Sequence, residues 1–145
     1  MKIKRKGGFL ISQIHRTSGR MFARKLKIHK IKINPGQGRI LFALWEKDGI
    51  SIRDLAKRTS LGKSTLSTML KRMRDDEYLK IEHPPGNERT KLVYVLQQSK
   101  QFELSFQKLS EEMNNIYYKD FTNEEIIEFE ENLERVLHNL KEHKD

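Results

Sequence analysis

A run of hydroxyl and basic side chains between residues 63 and 73 shows the clearest chemical pattern in the sequence. Apolar residues recur there at i, i+3, i+4 and i+7, namely Leu66, Met69, Leu70 and Met73, which predicts a helix with one apolar face. The opposite face would carry Lys63, Ser64, Thr65, Ser67, Thr68, Lys71 and Arg72. Hydroxyls can exchange hydrogen bonds with base edges, and Lys and Arg neutralise phosphates. The pattern favours a DNA-reading helix, with an ordinary solvated face as the alternative.

The flanking segments predict the elements that would position this helix. Ser51 and Asp54 have the spacing of a capping box at the start of a short preceding helix. After the reading helix, residues 81–96 have the pattern of a basic hairpin, in which Pro and Gly supply the turn and Arg89 and Lys91 lie beyond it. Two short helices, a turn and a hairpin, in this order, predict a winged helix-turn-helix.

The expected DNA contacts divide by chemistry. Ser64, Thr65, Ser67 and Thr68 would meet base edges and nearby phosphates, whereas Lys63, Lys71 and Arg72 would meet the backbone. Ser51 and Arg53 would bind a phosphate at a helix N-terminus. Arg89 and Lys91 would enter or border the minor groove, unless Arg89 instead pairs with a carboxylate and only shapes the hairpin.

The charge distribution supports a nucleic-acid partner. The chain has 145 residues and a net charge of +9, which hides an asymmetry. Residues 1–72 contain 19 Lys and Arg against 3 Asp and Glu, a net charge of +16, whereas the remainder carries −7. The length predicts one domain over residues 1–145. A basic half around the reading helix favours binding of nucleic acid over binding of a membrane.

Helical segments flank the predicted winged helix-turn-helix of residues 34–96. Residues 8–29 predict a basic first helix that contains Phe9 and Ile14. The segment 100–143 contains two further helices, the last of which opens on the Thr122 and Glu125 capping box. That last helix carries a seam of Ile126, Phe129, Leu133, Val136 and Leu140. A seam this short needs a partner, so both flanks are predicted to form a homodimer interface, with an intrachain seam as the alternative.

Several kinds of chemistry have no support in the sequence. No cysteine is present, so thiolate metal sites and disulfides are excluded. Gly36-Gln37-Gly38 is only half a phosphate-binding fingerprint, and the histidines lack metal-ligand spacing. Without a catalytic motif we expect no enzyme activity, no metal and no cofactor. The opening apolar run is too short for a signal peptide or a membrane span, so a cytoplasmic location is expected.

From Asn34 to Leu96 the sequence resembles the MarR family of transcriptional regulators. The resemblance rests on LFALWEKDGISIRDLAKR, LGKSTLSTMLKRM and NERTKLVYVL in one order. It implies a mostly α fold with a small β-hairpin wing, and an obligate homodimer whose outer helices interlock. It also implies a repressor that occupies a palindromic operator until a small ligand or another signal releases it. The family's usual ligand pocket lies between the first helix and the winged helix. His15, Arg39 and Trp45 are candidates to line it, with a core or surface role as the alternative for each.

Two other functions remain open on the residues alone. One is an architectural protein that binds nucleic acid without sequence preference, which the hydroxyl-rich helix disfavours. The other is a winged-helix module that binds another protein, which the retained cations disfavour.

Overall fold

A computed structural model of the chain describes Lys2 and residues 4–145. Met1 and Ile3, which the predicted single domain includes, lie outside the described residues. The chain divides into two compact units, Met1–Ser110 and Glu111–Asp145. The described part is mostly helical with a small antiparallel sheet, which confirms the predicted fold class. None of its helices combines the length and apolar character needed to cross a membrane.

The elements follow the predicted order with small additions. The helices are α1 (Gly7–Ile28), α2 (Pro35–Glu46), α3 (Ile52–Thr59), α4 (Lys63–Asp75), α5 (Gln97–Lys100), α6 (Glu103–Tyr117) and α7 (Asn123–Glu142). The strands are β1 (Ile50–Ser51), β2 (Leu79–Glu82) and β3 (Leu92–Val95). The two-residue strand β1 and the one-turn helix α5 were not predicted, because neither is long enough to show a periodic pattern.

A complete capping box starts α2. Asn34 Oδ1 accepts a hydrogen bond from the Gln37 backbone N–H at 2.8 Å, and Gln37 Oε1 accepts one from the Asn34 N–H at 3.0 Å. Pro35 occupies the first helical position, where its missing N–H costs nothing. These contacts fix the start of the helix that places Ile40, Leu41 and Leu44 in the core.

Only half of the predicted capping box forms at α3. Ser51 Oγ accepts from the Asp54 N–H at 3.1 Å, but Asp54 is not seen to return a hydrogen bond to Ser51. An Asp side chain is one methylene shorter than the Glu that completes such a box, and Ser51 is already paired with Leu92 in the sheet. The helix ends at Thr59, and Ser60 follows it in the left-handed region.

The sheet has the order β1-β3-β2 and is antiparallel throughout. β2 and β3 form the predicted hairpin, with Leu79 opposite Val95 and Glu82 opposite Leu92. Asp48 Oδ1 accepts from the Val95 N–H at 2.9 Å, so the residues between α2 and β1 hold the far end of β3. This connection ties the wing to the helical core.

The core of the first unit lies between α2, α3, α4 and the sheet. Its fully buried side chains include Ile40, Leu41, Leu44, Leu55, Leu66, Leu70, Met73, Leu79 and Val93. Phe106 of α6 packs against this core and contacts Phe22 and Trp45 edge to face, with ring centroids 5.2 and 5.5 Å apart. Trp45 therefore packs against the core as a partly buried side chain.

The second unit contains α7 and the end of α6. The predicted box of Thr122 and Glu125 forms in full, with hydrogen bonds of 2.9 and 3.1 Å. At the turn, Tyr118 contacts Phe129 edge to face and donates a hydrogen bond to Glu130 at 2.8 Å. Partial burial, together with this hydrogen bond, raises the pKa of Tyr118 to about 12. No residue of α7 is buried in the single chain.

Replacing Gly38 by Ala should destabilise the first unit. A Cβ there would lie 2.5 Å from Phe106 Cε2, so the ring would have to leave its aromatic contacts. We expect a loss of about 1 to 3 kcal/mol, measured as a lower free energy of unfolding in urea. Gly19→Ala is the control, because a Cβ in the middle of α1 meets nothing within 4 Å. It should stabilise by roughly 0.5 to 1 kcal/mol. Equal effects of the two substitutions would contradict this packing.

Candidate nucleic-acid interface

The structure separates the two faces of α4 as the sequence predicts. Leu66, Leu70 and Met73 are at most 1% exposed, so the rotation of the helix about its axis is fixed. The other face carries six exposed side chains, Lys63, Ser64, Thr65, Thr68, Lys71 and Arg72. Ser67 also belongs to the predicted set but is half-buried at the edge of this face. The result is a polar, basic ridge without carboxylates between residues 63 and 72.

One hydroxyl on this ridge has a restricted role. Thr68 Oγ1 donates to the Ser64 carbonyl one turn earlier, at 3.0 Å. A hydroxyl has a single proton, so Thr68 in this rotamer offers only lone pairs to an outside group. It can accept from an amino group of adenine or cytosine, but it cannot donate to a phosphate or a carbonyl. Sequence patterns give no sign of this bond, because it depends on the rotamer.

A larger cleft lies between the start of α3 and the wing. Its volume is about 460 Å³, and its lining is Ser51, Ile52, Arg53, Asp54, Lys63, Arg89, Thr90 and Lys91. The cleft brings together five of the predicted site residues from three separate segments of the chain. Four of its side chains are cationic and one, Asp54, is anionic. This excess of positive charge suits a phosphate group.

A smaller cleft of about 190 Å³ lies between α4 and the wing. It is lined by Ile52, Ser67, Leu70, Lys71, Arg74, Ile81, His83 and Lys91. Arg74 and His83 were missed by the sequence analysis. Arg74 follows Lys71 by three residues, so its helical spacing could have placed it on the same side of α4. His83 could not have been found this way, because only the pairing of β2 with β3 brings it opposite α4.

Hydrogen bonds within the wing fix the position of Arg89. Asn87 Oδ1 accepts from the Arg89 N–H at 3.1 Å, and Asn87 Nδ2 donates to Thr90 Oγ1 at 2.9 Å. Gly86, at φ +77, makes the turn in a conformation that favours glycine. Among the ion pairs found between described residues, none involves Arg89. The structure therefore provides no carboxylate partner for the alternative in which Arg89 only shapes the hairpin.

The remaining predicted residues are spread over the surface. Ser64, Thr65, Thr68 and Arg72 line neither cleft and lie on the open face of α4. Phe9 and Ile14 on α1 are 65% and 47% exposed. No group of three or more His, Asp and Glu side chains among the described residues is arranged to hold a metal ion.

Comparison with known proteins gives a match of part of the chain to one family model and a shared fold. Residues 33–91 match the model of the MarR family. No curated protein matches the sequence significantly. Among solved structures, a MarR transcriptional regulator from Methanosarcina mazei Go1 is similar at TM-score 0.80 and 23% identity, covering 96% of this chain and 92% of that chain.

Two further solved structures have the same fold. A mutant form of MarR from E. coli, complexed with operator DNA, is similar at TM-score 0.79 and 21% identity over 90% of this chain and 92% of that chain. BpsR of Bordetella bronchiseptica, whose DNA binding is regulated by 6-hydroxynicotinic acid, is similar at TM-score 0.80 and 17% identity over 91% and 98%. Residues 33–91 of this chain are therefore similar to the MarR family, and the chain shares the fold of these solved structures.

Proposed function

We propose that the chain is a homodimeric repressor that binds double-stranded DNA in a sequence-specific manner, with α4 in the major groove. The observation that carries this proposal is the face of α4, whose hydroxyls and cations are exposed on a helix with a fully buried opposite side. Two basic clefts continue this face toward the wing. A surface of this kind matches both the bases and the phosphates of one groove.

The contacts follow from position and chemistry. Ser64, Thr65 and Thr68 meet base edges from the open face of α4, with Thr68 as an acceptor only. Ser67, Lys71 and Arg72 meet nearby phosphates. Ser51, Arg53 and Lys63 hold a phosphate in the larger cleft, where the N-terminus of α3 adds the favourable end of its dipole. Arg89 reaches the minor groove from the wing, and Lys91, which lines both clefts, borders it.

Sequence preference distinguishes this proposal from an architectural DNA-binding protein. A protein that only neutralises phosphates needs cations but has no use for a row of hydroxyls on a rotationally fixed helix. The hydroxyls of α4 are held by the buried apolar side chains behind them. Rigid placement of this kind is what base discrimination requires.

The homodimer is supported by exposed apolar surface. On α7, Phe129, Leu133, Val136 and Leu140 are 39% to 70% exposed and recur at the spacing of a helical seam. On α1, Phe9 and Ile14 are similarly exposed. Charge is complementary as well, because residues 1–45 contain 12 Lys and Arg and no carboxylate, whereas residues 111–145 contain 11 Asp and Glu and 4 Lys and Arg. In a homodimer, the second copy would cover the exposed apolar side chains and bring the basic segment of one chain to the acidic segment of the other.

A small molecule is the proposed signal that releases the operator. Trp45 Nε1 is buried, and no hydrogen-bond partner for it is found in the described part of the chain. An unpaired buried N–H costs free energy that a ligand carboxylate or carbonyl would recover. The adjacent Phe106 ring, 5.5 Å from the Trp45 ring, offers apolar contact to an aromatic ligand. A ligand here would act on the packing of α6 against α2.

Substitutions on α4 should separate base reading from phosphate binding. Thr65→Ala should relax base preference. It should weaken the binding free energy for the preferred sequence by roughly 1 to 3 kcal/mol. Lys71→Ala should weaken all sequences alike and reduce the slope of log K against log salt by about one unit. Lys108→Ala, an exposed cation of α6 that lines neither cleft, is the control.

The measurement is fluorescence anisotropy with duplexes selected from a random pool by the wild-type protein, over a range of salt concentrations. If the wild type selects no preferred sequence, specific regulation is ruled out and the architectural function takes its place. If Thr65→Ala keeps the wild-type preference at every base, that residue does not read DNA.

Charges placed in the α7 seam should prevent dimerisation. Phe129→Asp together with Leu133→Asp would bring four carboxylates into the interface of two copies without partners. We expect a monomer by sedimentation velocity, or loss of folding by circular dichroism. Asn139→Asp adds a charge elsewhere on α7 and should leave the dimer intact. A folded wild-type monomer at micromolar concentration would exclude the homodimer.

A further inference from the structure

The smaller cleft has an unusual set of charged groups. Lys71 and Arg74 face it from α4, and Lys91 faces it from the wing. The remaining lining is apolar apart from Ser67 and His83, and no carboxylate belongs to it. A volume of about 190 Å³ is large enough to admit a phosphate group, and the three cations of the lining favour one.

His83 is the imidazole in this cleft, and its hydrogen bond limits which outside groups it can contact. Its Nδ1 lies 3.1 Å from the backbone carbonyl oxygen of Thr90. A carbonyl can only accept, so Nδ1 must carry the proton in this contact. In the neutral ring Nε2 is then an acceptor. A phosphate oxygen is also an acceptor, so it cannot hydrogen-bond to Nε2 until that nitrogen gains a proton.

We propose that His83 is a further DNA-binding residue, which contacts a backbone phosphate in the smaller cleft only as the imidazolium. Operator binding is then coupled to proton uptake, and affinity rises as the pH falls. This inference rests on the proposed DNA-binding function. It assigns to the wing a phosphate contact that depends on pH, in addition to the contacts of Arg89 and Lys91.

The charges around His83 strengthen the coupling. Without DNA, Lys71, Arg74 and Lys91 repel an imidazolium, whereas a phosphate between them attracts all four groups. Asp75 lies beside Arg74 with an N–O distance of 3.6 Å, which partly offsets that one cation. On β2, Glu82 adjoins His83 in sequence but pairs with Lys80 at 2.9 Å. α3 contributes only Ile52 to the cleft. A phosphate bound in the cleft is therefore the main negative charge that DNA binding adds near His83.

Two substitutions of His83 should make the affinity for DNA independent of pH, one at the low wild-type value and the other at the high one. Gln in place of His83 can still donate to the Thr90 carbonyl but does not titrate, whereas Arg is permanently charged. At constant salt, wild type should bind its selected duplex about ten-fold more tightly at pH 6 than at pH 8, since histidine changes charge in this range. His83→Gln should bind at both pH values as wild type does at pH 8, and His83→Arg as wild type does at pH 6.

Glu88→Gln is the control, because Glu88 is an exposed wing residue that lines neither cleft and lies outside the predicted dimer interface. It should keep the wild-type response to pH. The inference is overturned if His83→Gln also keeps that response, or if it loses affinity equally at both pH values. The second result would mean that His83 only joins the two sides of the wing. If wild type binds no duplex at either pH, the proposed function itself fails.

Discussion

The candidate nucleic-acid interface depends on the burial of Leu66, Leu70 and Met73. These side chains are at most 1% exposed, and truncating one of them to Ala would cost about 2 to 5 kcal/mol. Because a helix has only one rotation that buries all three, the opposite face is determined at the same time. The hydroxyls and cations of α4 are exposed for this reason, and no contact of their own is needed to hold the helix in that orientation.

The wing depends on contacts with residues far away in the sequence. Val95 donates to Asp48, and the Ile52 N–H donates to the Lys91 carbonyl at 3.2 Å. Gly49, at φ +66, approaches Tyr94 so closely that a Cβ would lie 2.7 Å from its ring. These contacts place Arg89 and Lys91 opposite the start of α3 and His83 opposite α4. The two clefts therefore exist only when the sheet is formed.

Local rules were enough to predict α4 and the hairpin, because a period of 3.6 residues and a Pro-Gly turn are visible in the sequence. The cap of α7 was predicted in full, whereas that of α3 was predicted with one contact too many. What could not be predicted depends on distant partners or on rotamers. His83 reaches the smaller cleft through strand pairing, Thr68 Oγ1 uses its proton in a hydrogen bond to the Ser64 carbonyl, and β1 is too short to show alternation.

Hydroxyl-radical footprinting of the wild-type protein on genomic DNA fragments is the most direct test of a dimer that reads a palindrome. Two copies of α4 related by a two-fold axis should protect two half-sites about one helical turn apart, roughly 10 base pairs from centre to centre. The two half-sites should be related by inverted symmetry and should appear at the same protein concentration. Even protection along the fragments, without a fixed register, would contradict the account.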